Sequence, residues 1–183
     1  KMKQIARGED GIAHVHVIGA GEMGAEIAAW AAVKGKGVTL GDVSLEPLGK
    51  AVAKAQEVAQ GAHLSGPETR DALDRMMPDP NGYGVGRADL VIEALPEDPD
   101  LKRKIHADLG KRMKNGAILA SNTSSLSLAE LRDAAPDPAR FAGLHFFNPV
   151  SKMQLVEVVG YDGNDGDVLD RLAAFCGALD RLP

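Results

Sequence analysis

The chain has few of the residues that mark secreted, metal-binding or membrane proteins. Its 183 residues include one cysteine, Cys176, so no internal disulfide can form. Cysteine and histidine spacings typical of metal sites do not occur, and we predict no bound metal. No apolar run approaches the roughly 18 residues that span a bilayer. The opening KMKQIARGEDG has no apolar segment behind it, which excludes a secretory signal. The lone cysteine favours a reducing compartment, and we expect the cytoplasm.

Charge of one sign is not in large excess. The net charge of -5 gives no electrostatic reason to expect nucleic acid or an anionic membrane as a partner. Hydrophobic residues at 44% and charged residues at 26% are typical of a globular protein. A chain of 183 residues suffices for one well-cored domain with a short appendage. We assign residues 1–11 to a linker or tail and 12–183 to one domain.

Short apolar runs alternate with helix-length segments along that domain. The runs are AHVHVIG, GVTLGDV, ADLVIEAL, GAILAS, FAGLHFF and MQLVEVV. This alternation predicts an α/β fold of the Rossmann type, a doubly wound and mostly parallel sheet of six or seven strands. The segment 101–113 predicts an amphipathic helix that buries Leu101, Ile105, Leu109 and Met113, since these apolar residues recur every four positions.

A glycine-rich turn, GAGEMG, connects the first run to the first helix. Glycine at positions 19, 21 and 24 permits a tight turn, close approach of backbone to a pyrophosphate, and close packing of helix on strand. Asp42 ends the second run, where a ribose-binding carboxylate would favour NAD over NADP. The alternative is a structural turn that binds no phosphate. The predicted cofactor contacts in this turn are Gly19, Gly21, Glu22, Met23 and Gly24.

Polar groups also follow the later strands, at the edge of the sheet where α/β proteins bind ligands. Glu97 precedes a helix, where it is either a ligand-binding residue or a charge that favours the helix dipole. Lys102 on that helix is expected, by itself, to face solvent. Asn122 and Ser124 lie in the loop SNTSS and are either ligand-binding or turn residues.

A histidine and a glutamate on successive strands predict an acid–base pair. Glu157 shares one strand face with apolar residues, namely Met153, Leu155 and Val159. A carboxylate buried in such a stripe needs a partner, and His145 is the natural one. An imidazole held by a carboxylate can take a proton near neutral pH. The alternative is a histidine satisfied by backbone groups. The other histidines are His14, His63 and His106, which lack such a partner, and His16, which we expect in the core.

Four segments together resemble the NAD-binding domain of the L-3-hydroxyacyl-CoA dehydrogenases of fatty-acid β-oxidation. They are VIGAGEMGAEIA, DLVIEALPED, ILASNTSSLS and GLHFFNPVSKMQLVEVV. The resemblance implies that His145 takes the 3-hydroxyl proton, that Glu157 orients the imidazole, and that Ser124 bonds the reacting oxygen. It places Glu97 and Lys102 near the nicotinamide ribose, with Asn122 beside them. The implied reaction oxidises an L-3-hydroxyacyl-CoA to the 3-ketoacyl-CoA and reduces NAD.

The family pattern also implies partners outside this sequence. Family members continue into an α-helical domain that closes over the substrate, and this chain ends at Pro183, where the connection should begin. The leader KMKQIARG resembles the connection from a hydratase domain in multifunctional β-oxidation enzymes. The segment 45–87, which in the family includes coenzyme A contacts, matches poorly. We therefore expect a fragment that binds NAD and turns over acyl-CoA poorly or not at all.

Two other interpretations remain at this stage. One is a hydroxy-acid dehydrogenase of the 3-hydroxyisobutyrate type, which relies on a lysine from a later helical domain. The other is a binding module that has kept the NAD fold without catalysis. The intact set of His145, Glu157 and Ser124 argues against the second.

Overall fold

A computed structural model describes residues 9–183, so most of the predicted tail lies outside the described range. Over these residues the chain forms seven strands, six α-helices and two short 3₁₀ helices, Tyr83–Arg87 and Pro138–Arg140. The strands are β1 (His14–Ile18), β2 (Gly37–Gly41), β3 (Met76–Pro78), β4 (Leu90–Glu93), β5 (Ile118–Ser121), β6 (Phe141–Phe146) and β7 (Val156–Val159). The helices are α1 (Glu22–Val33), α2 (Leu45–Gly61), α3 (Gly66–Arg75), α4 (Pro99–Leu109), α5 (Leu128–Arg132) and α6 (Val168–Ala178).

The strands form one sheet in the order β3-β2-β1-β4-β5-β6-β7. Strands β1 to β6 run parallel, and β7 pairs antiparallel with β6. Every residue of β4 and β5 is buried, because helices cover both faces of the sheet. The predicted doubly wound fold is confirmed. Strand β3 has no counterpart among the predicted runs, since it is three residues long and ends in Pro78 at the sheet edge.

Two apolar cores lie on opposite faces of the sheet. The larger one packs α1, α2 and α6 against the strands, and the alanine-rich sequence of α1 lets this helix approach the sheet closely. The smaller one includes Leu109 of α4 and Leu131 of α5, which pack with Val91, Leu119 and Phe141. Within residues 9–183, no helix combines the length and apolar character that a membrane crossing requires.

The buried face of α4 differs from the prediction. The helix begins at Pro99 and ends at Leu109, and it buries Lys102, His106 and Leu109. Leu101, Ile105 and Met113, which we expected in the core, are only half-buried, and Met113 lies beyond the end of the helix. The helix is rotated from the apolar stripe because Glu93, at the end of β4, lies beneath it and contacts Lys102 and His106.

Candidate functional site

The turn between β1 and α1 requires glycine at two positions. Gly19 has a φ of +98°, and a Cβ there would lie 2.6 Å from the carbonyl oxygen of Ala94. A Cβ on Gly24 would overlap the carbonyl oxygen of Gly19. The turn therefore holds its shape only with these glycines, as the sequence predicted.

Gly21 marks an open cradle at the start of α1. A Cβ on Gly21 would meet no heavy atom of the described residues within 4 Å. No side chain between residues 9 and 183 caps the first turn of α1. The amide groups of that turn are thus available to an anion, and the positive end of the helix dipole favours one. These features fit the pyrophosphate of a dinucleotide.

Asp42, which follows β2, lies beside this cradle. Its Oδ2 accepts a hydrogen bond of 2.8 Å from the amide of Ala20, and its Oδ1 accepts one of 2.9 Å from the amide of Ser44. The first bond holds the carboxylate against the glycine turn, and the second holds it at the start of α2. Each oxygen keeps a lone pair, so the carboxylate can still accept from a ribose hydroxyl.

A cleft of about 630 Å³ runs from the glycine turn to the end of β6. It brings together most of the predicted site residues. They are Gly19, Gly21, Glu22, Met23, Asp42, Glu97, Asn122, Ser124 and His145. The predicted residues outside the cleft lining are Gly24, Lys102 and Glu157.

Glu97 contacts the SNTSS loop instead of the helix that follows it. Its Oε2 accepts from the hydroxyl of Thr123 at 2.7 Å, and its Oε1 accepts from the amide of Ser124 at 2.8 Å. The start of α4 is capped by Asp98, whose carboxylate accepts from two backbone amides of the first turn. Glu97 therefore shapes the loop that carries Ser124.

Asn122 joins the ends of two strands. Its side-chain Oδ1 accepts a 2.8 Å hydrogen bond from the backbone amide of Phe146, next to His145. The backbone amide of Asn122 donates to the carbonyl of Glu93. No residue within 9–183 accepts from the Nδ2 group of Asn122, which can therefore donate to a ligand in the cleft.

Lys102 does not lie where the sequence placed it. The expectation of a solvent-facing side chain was wrong, because Lys102 is fully buried. Its Nζ donates to Glu93 Oε1 at 2.7 Å and to the carbonyl of Leu95 at 3.3 Å. Glu97 Oε2 lies 4.0 Å away. Lys102 does not line the cleft itself, but it contacts two residues that do, Leu95 and Glu97. Its place near the cofactor ribose stays a prediction.

Glu93 is the centre of a buried polar cluster that the sequence analysis missed. Besides Lys102, it accepts from the hydroxyl of Ser121 at 2.7 Å, and Nε2 of His106 lies 3.4 Å from its Oε2. The expectation that His106 lacks a carboxylate partner was therefore wrong. Burial alone would raise the pKa of Glu93, but the contacts with His106, Lys102 and Ser121 outweigh it and leave this pKa below its usual value. The signal was a glutamate inside the apolar run DLVIEAL.

His145 and Glu157 face each other across β6 and β7. They are directly paired in the antiparallel ladder, and His145 Nδ1 lies 3.0 Å from Glu157 Oε2. A carboxylate only accepts, so Nδ1 carries the proton and donates it. The lone pair of the imidazole is then on Nε2, free to take a proton from a ligand. The predicted proximity of the two residues is observed.

The reason given for that pairing was wrong. Glu157 is not buried in an apolar stripe, since 52% of its side chain is exposed. The residues that share its face are also exposed, namely Met153, Leu155 and Val159. Glu157 contacts His145 because the β6–β7 register places them opposite each other, and desolvation contributes little.

A second cavity, of about 580 Å³, adjoins the cofactor cleft. Ser124 and His145 border both spaces. Apolar and aromatic side chains line much of the second cavity, among them Leu128, Val159 and Tyr161. The two polar side chains thus stand between a space for a dinucleotide and a space with partly apolar walls.

These features define a dinucleotide-binding domain with a bonded histidine–glutamate pair at one end of its cleft. The family model for the 3-hydroxyacyl-CoA dehydrogenase NAD-binding domain matches residues 14–183. The chain belongs to this family, and its cofactor is NAD.

Known proteins of this kind are similar along the whole chain. The fatty acid oxidation complex subunit alpha of Pseudomonas syringae pv. syringae is 33% identical and matches 100% of the chain. The solved 3-hydroxybutyryl-CoA dehydrogenase of Escherichia coli K12 is 35% identical over 94% of the chain and 37% of its own, with a TM-score of 0.88. The (S)-3-hydroxybutyryl-CoA dehydrogenase of Ralstonia eutropha is 31% identical over 94% of the chain and 62% of its own, with a TM-score of 0.86. The chain spans about a quarter (26%) of the length of that alpha subunit.

Proposed function

We propose that this chain is the part of a 3-hydroxyacyl-CoA dehydrogenase that holds NAD and the acid–base pair. The reaction is oxidation of an L-3-hydroxyacyl-CoA to the 3-ketoacyl-CoA. The observation that carries the proposal is the position of His145, which is held by Glu157 and borders both the cofactor cleft and the partly apolar cavity.

In this proposal, the catalytic residues are His145, Glu157 and Ser124. Nε2 of His145 takes the proton of the 3-hydroxyl group, and Glu157 stabilises the imidazolium that results. The hydroxyl of Ser124 donates a hydrogen bond to the reacting oxygen. Bound NAD supplies the acceptor for the hydride that leaves C3. The protein contributes orientation and charge stabilisation.

The proposed cofactor contacts follow the cleft from end to end. The glycine turn holds the pyrophosphate at the start of α1, and Asp42 accepts from the adenosine ribose. Glu97 and Asn122 lie toward the nicotinamide end, where Asn122 also fixes Phe146 beside the base. Lys102 supports this end indirectly, through the carbonyl of Leu95.

The parent protein supplies the rest of the catalytic unit. The chain covers 62% of the Ralstonia enzyme, so we propose that a helical domain outside the matched region completes the acyl-CoA site. A hydratase domain in the same parent is suggested by the likeness to multifunctional alpha subunits. The isolated chain should bind NAD and turn over acyl-CoA poorly. We propose the cytoplasm as its compartment.

The test has a binding part and a kinetic part. Fluorescence titration of the chain with NADH and NADPH should show binding of NADH and much weaker binding of NADPH. In the full-length parent, His145→Gln should lower kcat for 3-hydroxybutyryl-CoA by roughly a hundredfold or more, since general base catalysis contributes about that much. Glu157→Gln should also lower kcat, and Glu130→Gln on α5 serves as an exposed control.

Two results would overturn the proposal. One is a His145→Gln parent enzyme with nearly unchanged kcat, which would remove the assigned base. The other is faster turnover of 3-hydroxyisobutyrate than of 3-hydroxybutyryl-CoA, which would favour the alternative hydroxy-acid dehydrogenase.

A further inference from the structure

One face of α1 carries side chains that bond to segments far away in the sequence. Glu22, Glu26 and Trp30 are four residues apart, so they lie along the same side of the helix. Glu22 is exposed at the cleft, whereas Glu26 and Trp30 are only 5% and 7% exposed. A buried carboxylate needs polar partners, and Glu26 finds them outside its own helix.

Both glutamates bond the segment that follows the histidine strand. Glu22 Oε1 accepts from Asn148 Nδ2 at 2.9 Å. Glu26 Oε2 accepts from the amide of Val150 at 2.6 Å. The segment Asn148–Val150 begins three residues after His145, so these two bonds join α1 to the strand that carries the proposed base.

The carbonyl group of Val150 is held as well. Arg181 donates to it through Nη2 at 2.8 Å, and the Arg181 guanidinium lies 4.1 Å from the ring centre of Trp30. Trp30 in turn donates to the carbonyl of Leu179 at 2.9 Å. Both backbone groups of Val150 are therefore bonded to side chains, and each of those side chains belongs to or packs on the same face of α1.

We propose that Glu26, assisted by Glu22, is a positioning residue that couples the cofactor turn to the histidine strand. The glycine turn opens directly into α1, and a helix transmits displacement of one end to the other as a rigid element. The Glu26–Val150 bond thus fixes Phe147 and His145 relative to the cradle for the pyrophosphate. The role of His145 in this coupling rests on the proposed function.

Removal of the Glu26 carboxylate should loosen the segment Asn148–Val150, because no other group within residues 9–183 takes over its hydrogen bond to Val150. Glu26→Ala leaves the Val150 amide without its acceptor. A hydrogen bond to a charged group is worth enough that its loss should weaken NADH binding about fivefold or more, if the bond positions the cleft. Glu26→Gln keeps an oxygen that can accept from Val150 and should restore most of the affinity for NADH. This rescue would not be expected if the negative charge itself were required.

The control is Glu57→Ala on α2. Lys54 Nζ lies 3.6 Å from Glu26 Oε1 and 3.5 Å from Glu57 Oε2, so both glutamates share this lysine. Glu57 is exposed and belongs to a different helix. Its removal disturbs the shared lysine but leaves the Val150 bond in place. We expect unchanged NADH affinity.

The experiment uses the 183-residue chain with three measurements. They are the NADH dissociation constant from fluorescence, the NMR resonance of the His145 ring, and the melting temperature. Glu26→Ala should raise the dissociation constant at least about fivefold and shift the His145 resonance. Glu26→Gln should stay within about threefold of wild type, and Glu57→Ala should match wild type. A lower melting temperature alone, with NADH affinity and the His145 resonance unchanged, would overturn the proposal.

A second comparison covers the case in which Glu26→Ala does not fold. Glu22→Ala and Glu22→Gln both remove the same exposed charge, but only glutamine can still accept from Asn148. The alanine variant should bind NADH more weakly than the glutamine variant and shift the His145 resonance. Identical behaviour of the pair would refute the coupling. Wild-type chain that binds no NADH would instead refute the proposed function.

Discussion

Replacement of Lys102 by methionine should remove about 3–5 kcal/mol from the free energy of unfolding. Lys102 and Glu93 are both fully buried, and their charged groups are 2.7 Å apart. Methionine fills nearly the same volume but leaves the Glu93 carboxylate without its cation. A typical domain has about 5–15 kcal/mol in total, so this loss is a large share. Urea unfolding can be followed through Trp30, the single tryptophan.

The pH dependence of this loss has a definite sign. In the wild-type chain the pKa of Glu93 is below its usual value, so its stabilising contribution disappears as pH falls through that lowered pKa. In the variant, burial without Lys102 should raise the pKa of Glu93, and protonation at mildly acidic pH should relieve part of the penalty. The difference between the two proteins should therefore be largest near neutral pH and shrink toward acid.

Two further variants make the reasoning refutable. Lys104→Met changes an exposed lysine on the same helix and should alter stability by no more than about 0.5 kcal/mol. Adding Glu93→Gln to Lys102→Met removes the stranded charge and should recover part of the loss. A Lys102→Met chain within about 1 kcal/mol of wild type would show that the buried ion pair is not the source of stability assumed here.

Burial lowers the pKa of His16 from 6.5 to about 4. Between these pH values the unfolded chain binds a proton that the folded chain does not, so the free energy of unfolding should fall by about 3 kcal/mol as the pH drops. His16→Gln should flatten this part of a stability profile measured by urea unfolding, and a variant profile parallel to wild type would contradict the prediction. Gly21→Ala should fold with an unchanged melting temperature, because its Cβ meets no atom of the described chain within 4 Å, but it should lose NADH binding. Gly24→Ala should have a much lower melting temperature, because its Cβ overlaps the carbonyl oxygen of Gly19. Equal melting temperatures of the two variants would count against this geometry. Burial raises the pKa of the Cys176 thiol to about 12. At mildly alkaline pH a thiol reagent should therefore modify the native chain only as fast as the chain unfolds. Rapid modification of the native chain would disprove the burial.

The shape of the glycine turn and the position of Asp42 beside it were predictable from the sequence because their signals are local. The glycine turn and Asp42 act through backbone shape and strand ends, and both features are set by residues close in the chain. Glu97 was only half predictable. The same sequence context allowed a helix charge or a ligand-binding residue. Asp98 caps α4 instead, Glu97 bonds Thr123 and Ser124, and its ligand-binding role stays a prediction.

The two glutamates in apolar runs show where the sequence reasoning failed. The rule that a buried carboxylate needs a partner applies to Glu93, which is fully buried, and we had applied it to Glu157, which is half-exposed. Burial depends on whether a strand is central or at the edge. Strand β4 is covered on both faces, while β7 is the last strand of the sheet. Strand order is a long-range property that a local pattern does not reveal.

The same missing information explains the error on α4. Four apolar residues at regular spacing predicted its buried face, but Lys102 and His106 turn inward because Glu93 lies beneath them. A buried carboxylate needs polar partners, and the inward orientation of α4 supplies them. The burial of Glu93, if known, would have predicted that Lys102 and His106 both turn inward.

The contact between His145 and Glu157 depends on the register in which β6 and β7 pair. A slip of one residue would turn Glu157 to the opposite face of the sheet, because side chains alternate along a strand. A slip of two residues would restore the face but set His145 opposite Leu155 or Val159 instead. Val156 opposes a one-residue slip, because this buried side chain would then move to the exposed face. An apolar residue that contacts neither NAD nor substrate thus helps to hold the acid–base pair together.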